Sequence, residues 1–224
     1  MIVALSMRVV KAVGYHEPRD ALSHDWIDWT ERHGWTPLPL SNNLAQPVSY
    51  LEAMKVGAII LTGGNDAVPR VGIESDHCPS RNRTERMALD WAIATGIPVL
   101  AVCRGLHIVN IHFGGTVLPD IGPLKAAHVA RNHKLEILDP LGGILAGSDF
   151  ETNSFHEQGI AKDGLANALR PFIASSDGLI EGAVHSDLPI LAIQWHPERD
   201  NPAVQFDDIA AARLFDEGVF WHAG

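Results

Sequence analysis

The chain has 224 residues and a mass of 24.3 kDa, enough for one full α/β domain with its own core. Hydrophobic residues make up 46% of it, yet no apolar run approaches the ~20 residues of a membrane-spanning helix, which excludes a helical membrane protein. A formal net charge of −10 without a basic stripe excludes a protein that grips a nucleic-acid backbone, although a nucleotide-sized ligand needs only a few local cations.

The opening "MIVALSMRVV" carries its charges after the apolar run, not before it, and the run is short for a secretion signal; a cytoplasmic protein is expected. Ile2 to Val10 reads as a strand and Ala21 to His33 as a helix. Thr36 to Leu40 reads as a short strand and Pro47 to Met54 as a short helix. The block "VGAIIL" from Val56 to Leu61 is a second buried strand, and it ends at "TGGND". An amphipathic helix follows from Arg81 to Thr95, then an unbroken apolar strand from Ile97 to Val102, then Cys103, then a helix from Leu106 to Phe113 that stops at a Gly-Gly pair. Beyond "GGTVLPDIG" the runs shorten to "HKLEIL", "RPFIASS", "IEGAVHS" and "PILAIQW", with Gly, Asp and Pro between them. A helix from Asp207 to Asp216 closes the pattern. Alternating β and α, then a strand-rich second half, predicts a single α/β domain spanning 1–224. Its sheet is open, doubly wound and mostly parallel, flavodoxin-like, with an antiparallel edge. Ligands of such sheets collect at the carboxyl ends of the strands, here "TGGND", "VCRG" and "QWHPE".

Two cysteines are too few for a disulfide framework, and there is no CxxC pair for zinc. Cys103 sits on a sharp strand-to-helix turn and is the candidate nucleophile. A cysteine attacks as thiolate, so it needs a base beside it. Among twelve histidines, His196 follows an apolar strand directly, and Glu198 two residues on is placed to fix its tautomer. From the residues alone His196 is equally a surface histidine at a strand end. The residue after a nucleophile on such a turn presents its backbone N–H to an oxyanion, which nominates Arg104; Gly63 and Gly64 suit the second donor.

At these motifs the sequence resembles the class I glutamine amidotransferase-like fold, and within it the gamma-glutamyl hydrolase branch. "LTGGND", "IPVLAVCRGLHIVNIHFGGTVLPDI", "NSFHEQGI" and "IQWHPE" occur in the expected order, and the likeness runs from about Ile2 to Phe215. The resemblance implies Cys103, His196 and Glu198 as a catalytic triad, the amides of Gly64 and Arg104 as an oxyanion hole, and no cofactor or metal. It nominates Gly63, Asn65, Asn153, Ser154, His156 and Gln158 for the glutamyl group, His156 and Ser154 more than Asn153 and Gln158; the rival reading is a turn that Asn153 and Ser154 cap. Arg81 and Glu85 match a charged pair of the family, read here as a solvated helix contact more than a pocket wall. "GYHEPRDALSHDWIDW" resembles the start of a narrower group, the gamma-glutamyl-CDP-amidate hydrolases of capsule synthesis. That places Tyr15, Arg19, Asp20 and Trp26 near the strand ends, with Arg19 on an anion and Trp26 on a base. Against this, Trp26 and Trp29 three apart on a helix read as core anchors.

The implied activity is cysteine-dependent cleavage of the gamma-glutamyl amide bond of a small conjugate, of nucleotide-linked or gamma-glutamyl-GABA type. The rivals are a glutaminase that feeds ammonia to a separate synthase and a non-catalytic binding protein. The expected partner is a small-molecule gamma-glutamyl substrate, with no nucleic acid and no membrane; a homo-oligomer and a synthase partner stay open. Asp76, His77 and Cys78 form no metal pair with any other motif, and His128 and His133, five apart in "HVARNH", are read as non-ligands.

Overall fold

The computed structural model describes residues 1–145 and 150–222. Its elements, in chain order, are β1 (Ile2–Ser6), β2 (Arg8–Lys11), β3 (Pro18–Ala21), α1 (His24–Arg32), β4 (Thr36–Leu40) and α2 (Pro47–Ala53). There follow β5 (Ala58–Leu61), α3 (Pro79–Thr95), β6 (Val99–Val102), α4 (Arg104–His112) and the short α5 (Lys125–His128). The last part holds β7 (Val129–Ile137), β8 (Phe150–Phe155), β9 (Leu169–Ser175), β10 (Ile180–His185), β11 (Ile190–Ile193) and α6 (Val204–Glu217).

Nine strands form one sheet in the order β4-β1-β5-β6-β11-β10-β9-β7-β8. From β4 to β11 every pairing is parallel; from β11 onward every pairing is antiparallel. The fold class is the mixed α/β one expected, with an antiparallel part that makes up half the sheet. The central parallel strands β5, β6 and β11 are apolar and buried at every position because helices cover both faces. Val3, Leu5, Ile60, Leu100, Val102, Leu191 and Ile193 pack with Trp26 and Trp29 of α1 and with Phe206, Leu214 and Phe215 of α6. Ala4, Ile59, Leu61, Val99, Ala101 and Ala192 pack on the other face with Leu51 of α2, Leu89 and Trp91 of α3 and Leu106 and Val109 of α4.

The N-terminal strand read as Ile2 to Val10 is broken at Met7. The sheet ends at Ser6, whose Oγ accepts the Thr62 N–H at 2.9 Å, and the chain turns off into a separate hairpin of β2 and β3. Ala21, read as the start of a helix, therefore pairs as strand, and the helix begins only at His24. Asp20 then ties the hairpin down by accepting from Ser41 Oγ at 2.7 Å and from the Asn42 N–H at 2.9 Å. The "ETNSF" stretch is also strand, β8, and its inward side chains are polar, so no apolar run announced it.

α4 starts hard against the sheet. A Cβ at Gly105 would stand 2.4 Å from the Leu61 carbonyl oxygen, a backbone atom with no freedom to withdraw. Gly105→Ala is therefore expected to lose about 1–3 kcal/mol of stability, as overpacking of a fixed contact does. Urea denaturation checks this as a lowered midpoint with an unchanged slope.

Candidate active site at the strand ends

Cys103 follows β6 directly and adopts φ +54° and ψ −104°, a strained backbone for a residue with a Cβ. Its own N–H donates to the Ile193 carbonyl at 2.8 Å, which binds the turn to β11. β11 in turn delivers His196 to the same rim. The His196 ring packs against the "TGGN" loop after β5: a Cβ at Gly63 would come within 2.6 Å of His196 Cε1 and 3.4 Å of the Cys103 Cβ. Three strand ends thus meet at one point, as the parallel topology requires.

His196 is held on several sides. Its Nδ1 is 2.8 Å from Glu198 Oε1, so Nδ1 carries a proton toward the carboxylate and Nε2 is left for chemistry. Its backbone N–H donates to Asn153 Oδ1 at 2.9 Å, and Asn153 Nδ2 returns a bond to the His196 carbonyl at 2.9 Å. Burial pushes the Cys103 thiol up, but the His196 imidazole beside it, with His156 and Arg199 behind, outweighs that and brings it down to about 7. Burial lowers His196 as well, and the charges of Glu198 and Cys103 more than reverse this, lifting it to about 9. Between those values the pair rests as thiolate and imidazolium, the form of cysteine that attacks a carbonyl.

The loop opposite is set by a buried charge cluster. Arg81 and Glu85 are fully buried, not solvated. Arg81 Nη2 donates to the carbonyls of Thr62, at 2.7 Å, and Gly63, at 3.1 Å, and Nη1 donates to that of Gly64. In a trans peptide the N–H points opposite to the C=O. Holding the Gly63 carbonyl therefore turns the Gly64 N–H away from Arg81, and Gly64 lines the cavity in front of Cys103. Glu85 accepts from Arg81 Nε at 2.8 Å and also from the Arg104 guanidinium, which further donates to Asn82. The Arg104 side chain thus points into the protein while its backbone N–H opens α4, where helical amides have no internal partner.

The cavity holds about 570 Å³, and its walls include Arg8, Gly64, Asn65, Arg70, Cys103, Arg104, His107, Phe155, His156, Gln158, His196 and Arg199. Arg70 is spent on Asp66 and Glu157, at 2.8 and 2.7 Å. Arg199 lies 4.4 Å above the Phe155 ring. Burial drives His107 down to about 3, so it stays neutral and meets Gln194 Oε1 at 2.8 Å.

The other nominated residues fall differently. Asn65 lines the cavity, but its amide pairs with both backbone groups of Val9, at 2.8 and 3.0 Å, and acts as a strand neighbour for β2. Gln158 accepts from the Ala67 N–H and donates to the Val68 carbonyl, both at 2.8 Å. Ser154 Oγ donates to the His128 carbonyl at 2.7 Å, and neither Ser154 nor Asn153 is among the cavity walls. Their polar atoms brace the scaffold. Tyr15 and Arg19 sit on the exposed hairpin, where Arg19 pairs with Glu17 and the Tyr15 hydroxyl, both at 2.5 Å, and neither is among the cavity walls. Trp26 is 3% exposed and packs edge-on against Trp29 with centroids 5.8 Å apart, the core reading. Cys78 contacts Ser80 Oγ at 3.2 Å, and Asp76 accepts from the Asp66 N–H at 2.6 Å, so that loop braces itself. Sequence reasoning missed Arg8, Arg70, His107 and Arg199; of these Arg199, directly after the "QWHPE" strand end, carried a readable signal, whereas Arg8 fell inside the strand expected from Ile2 to Val10.

A family model for Peptidase C26 matches residues 2–198, and the chain belongs to that family. A Schizosaccharomyces pombe protein named as a glutamine amidotransferase is 33% identical over 64% of this chain; the match spans 62% of that relative's length, less than two thirds. The gamma-glutamyl-CDP-amidate hydrolase of Campylobacter jejuni is 29% identical over 90% of this chain and 92% of its own. The gamma-glutamyl-gamma-aminobutyrate hydrolase of Escherichia coli is 29% identical over 83% and 79%. A Thermotoga maritima glutamine amidotransferase shares the fold, with a TM-score of 0.62 and 14% identity over 95% of this chain and 82% of that one. Among the described residues no helix is long and apolar enough to cross a membrane.

Removing the charge of Glu85 leaves two buried guanidinium groups facing each other. Glu85→Gln is expected to cost about 3–5 kcal/mol, the range for breaking a buried ion pair on one side. Thermal and urea unfolding of the variant give the measurement.

Proposed function

We propose that this member of the Peptidase C26 family is a cysteine-dependent hydrolase of the gamma-glutamyl amide bond of a small conjugate. The observation that supports the reading is that His196, bonded to Glu198, lines one cavity together with Cys103, Gly64 and Arg104. The Cys103 thiolate attacks the side-chain carbonyl carbon of the glutamyl group, forming a C–S bond. The carbonyl electron pair moves onto oxygen, facing the Gly64 and Arg104 N–H groups. Collapse breaks the C–N bond as the His196 imidazolium gives its proton to the leaving nitrogen. Neutral His196 then takes a proton from water, whose oxygen attacks the thioester carbon. Glutamate leaves, and the thiolate–imidazolium pair is restored. Glu198 keeps the ring oriented and its charge favours the imidazolium.

The amine is read as a nucleotide-linked one. In support, the Campylobacter relative named for a CDP-amidate aligns over nearly all of both chains, and the cavity wall holds Arg8 and Arg199 beside the reacting cysteine. Glutamate release is measured from glutamine, from gamma-glutamyl-GABA and from a nucleotide-linked gamma-glutamyl amide. Rapid release from the last, with glutamine poor, is the expected result; turnover of glutamine alone would instead make the chain an ammonia-supplying glutaminase. Cys103→Ala is expected to lower kcat by about 10⁴-fold or more. No loss would remove Cys103 from the reaction.

The pH profile follows from the two shifted groups. Cys103 titrates below its ordinary value, so the thiolate fraction and the rate rise as pH climbs through about 7. His196 titrates above its own, so the acid that protonates the leaving amine is lost above about 9. The expected profile of kcat/KM is a bell between those limbs. A rate still rising beyond pH 10 would contradict the ion-pair resting state.

A further inference from the structure

Behind the cavity wall lies a second buried cluster that the proposed reaction does not use. It gathers His128 at the end of α5, His133 on β7, His156 after β8, Asp177 after β9 and Glu181 on β10; Cys103 and His107 face it from the elbow and α4. His128, His156 and Glu181 are 0%, 4% and 0% exposed.

Hydrogen bonds decide where the protons are. His156 Nδ1 stands 2.8 Å from the Gln158 carbonyl oxygen, which only accepts, so Nδ1 carries hydrogen. His128 Nε2 stands 2.9 Å from Asp177 Oδ2, a carboxylate oxygen, so Nε2 carries hydrogen too. In neutral rings the two remaining nitrogens, His128 Nδ1 and His156 Nε2, are both bare lone pairs. They are 3.0 Å apart, and they face Glu181 Oε1 at 3.4 and 3.5 Å. Three electron-rich atoms do not face one another away from water without a cation among them. The 3.0 Å separation is an N–H···N hydrogen-bond length; donors around a tetrahedral metal, bound at about 2.0–2.1 Å, stand about 3.4 Å apart.

We propose that His128 and His156 share one proton on this edge, and that His156 is a positioning residue whose positive charge faces the Cys103 thiolate from the cavity wall. Glu181 holds the proton in place, with His133 Nε2 3.8 Å from its other oxygen, and Asp177 fixes the His128 ring. The directions agree: burial opposes charge on both histidines, yet Glu181 raises them, and Glu181 itself is held down to about 2. The role of His156 rests on the cysteine-hydrolase reading; the shared proton does not.

The test uses the full chain with ¹⁵N-labelled histidine, and a Cys78→Ser background so that iodoacetamide reads Cys103 alone. Nitrogen NMR is expected to show one added proton on the His128–His156 pair at pH 7, retained to higher pH than a free imidazole keeps its own, and lost at pH 7 in Glu181→Gln. Two neutral rings in the parent protein, or one equivalent of metal in elemental analysis, would overturn the shared proton. His156→Gln is expected to raise the pH midpoint of Cys103 alkylation by about one unit, the scale of a nearby charge. An unchanged midpoint would overturn the positioning role. Alkylation needs no gamma-glutamyl substrate, so a protein that passes these tests yet cleaves no such amide would lose the proposed function and keep the shared proton and its effect on the Cys103 thiolate.

Discussion

Everything at the cavity depends on the buried line of charge Arg81–Glu85–Arg104. It joins the loop after β5 to the turn after β6. Two cations around one carboxylate cannot neutralise fully, and burial makes any remainder expensive. The remainder is taken up by the carbonyls of Thr62, Gly63 and Gly64, which accept from Arg81. Binding those carbonyls on the inner side is what leaves the opposite, amide side of the loop for the cavity. A helix-surface pair at the same i, i+4 spacing contributes only about 0.2–0.5 kcal/mol. Here the spacing is the same, but burial turns the pair into the brace on which the loop geometry rests.

The second dependence runs across the sheet. The parallel half supplies Cys103 and the glycine loop, and the antiparallel half supplies the restraints on the histidine. Asn153 of β8 brackets the backbone of His196, and Asn201, which bonds the Asn153 N–H at 3.1 Å, is itself held by Asp207 of α6. Trp195 donates to that same Asp207 at 2.8 Å. The polar residues of β8 therefore do for His196 what the charge cluster does for the loop. Both devices fix backbone, and neither presents a free side chain to the cavity. Cys103 adds its own contribution to the order: a positive φ at a residue with a Cβ costs of order 1–3 kcal/mol, which the contacts to β11 and α4 must offset.

The parallel strands, the helices between them and the residues at their ends were legible in the sequence. Apolar runs such as "IPVLAV" and "PILAI" bury on both faces, and that pattern needs no knowledge of partners. Cys103, His196 and Glu198 were nominated because each stands at or just beyond the end of such a run. The hairpin of β2 and β3 and the strand β8 were not legible. Their stability comes from Asn65, Asp20 and Asn153 bonding to backbone far along the chain, which no local period records.

From the sequence alone came the fold class, the order of most elements and the identity of the residues at three strand ends, since these follow from periodicity, from turn chemistry and from a family likeness carried in contiguous motifs. Tertiary structure alone decided which polar residues are braces and which line the cavity. It turned Asn153 and Ser154 onto backbone outside the cavity walls, tied Asn65 and Gln158 to backbone within those walls, set Tyr15 and Arg19 on a hairpin, and brought Arg8 and Arg199 to the cavity. The physical reason is that a polar side chain's role depends on whether its hydrogen-bond partners lie in the protein or are left to a ligand. Those partners sit tens of residues away.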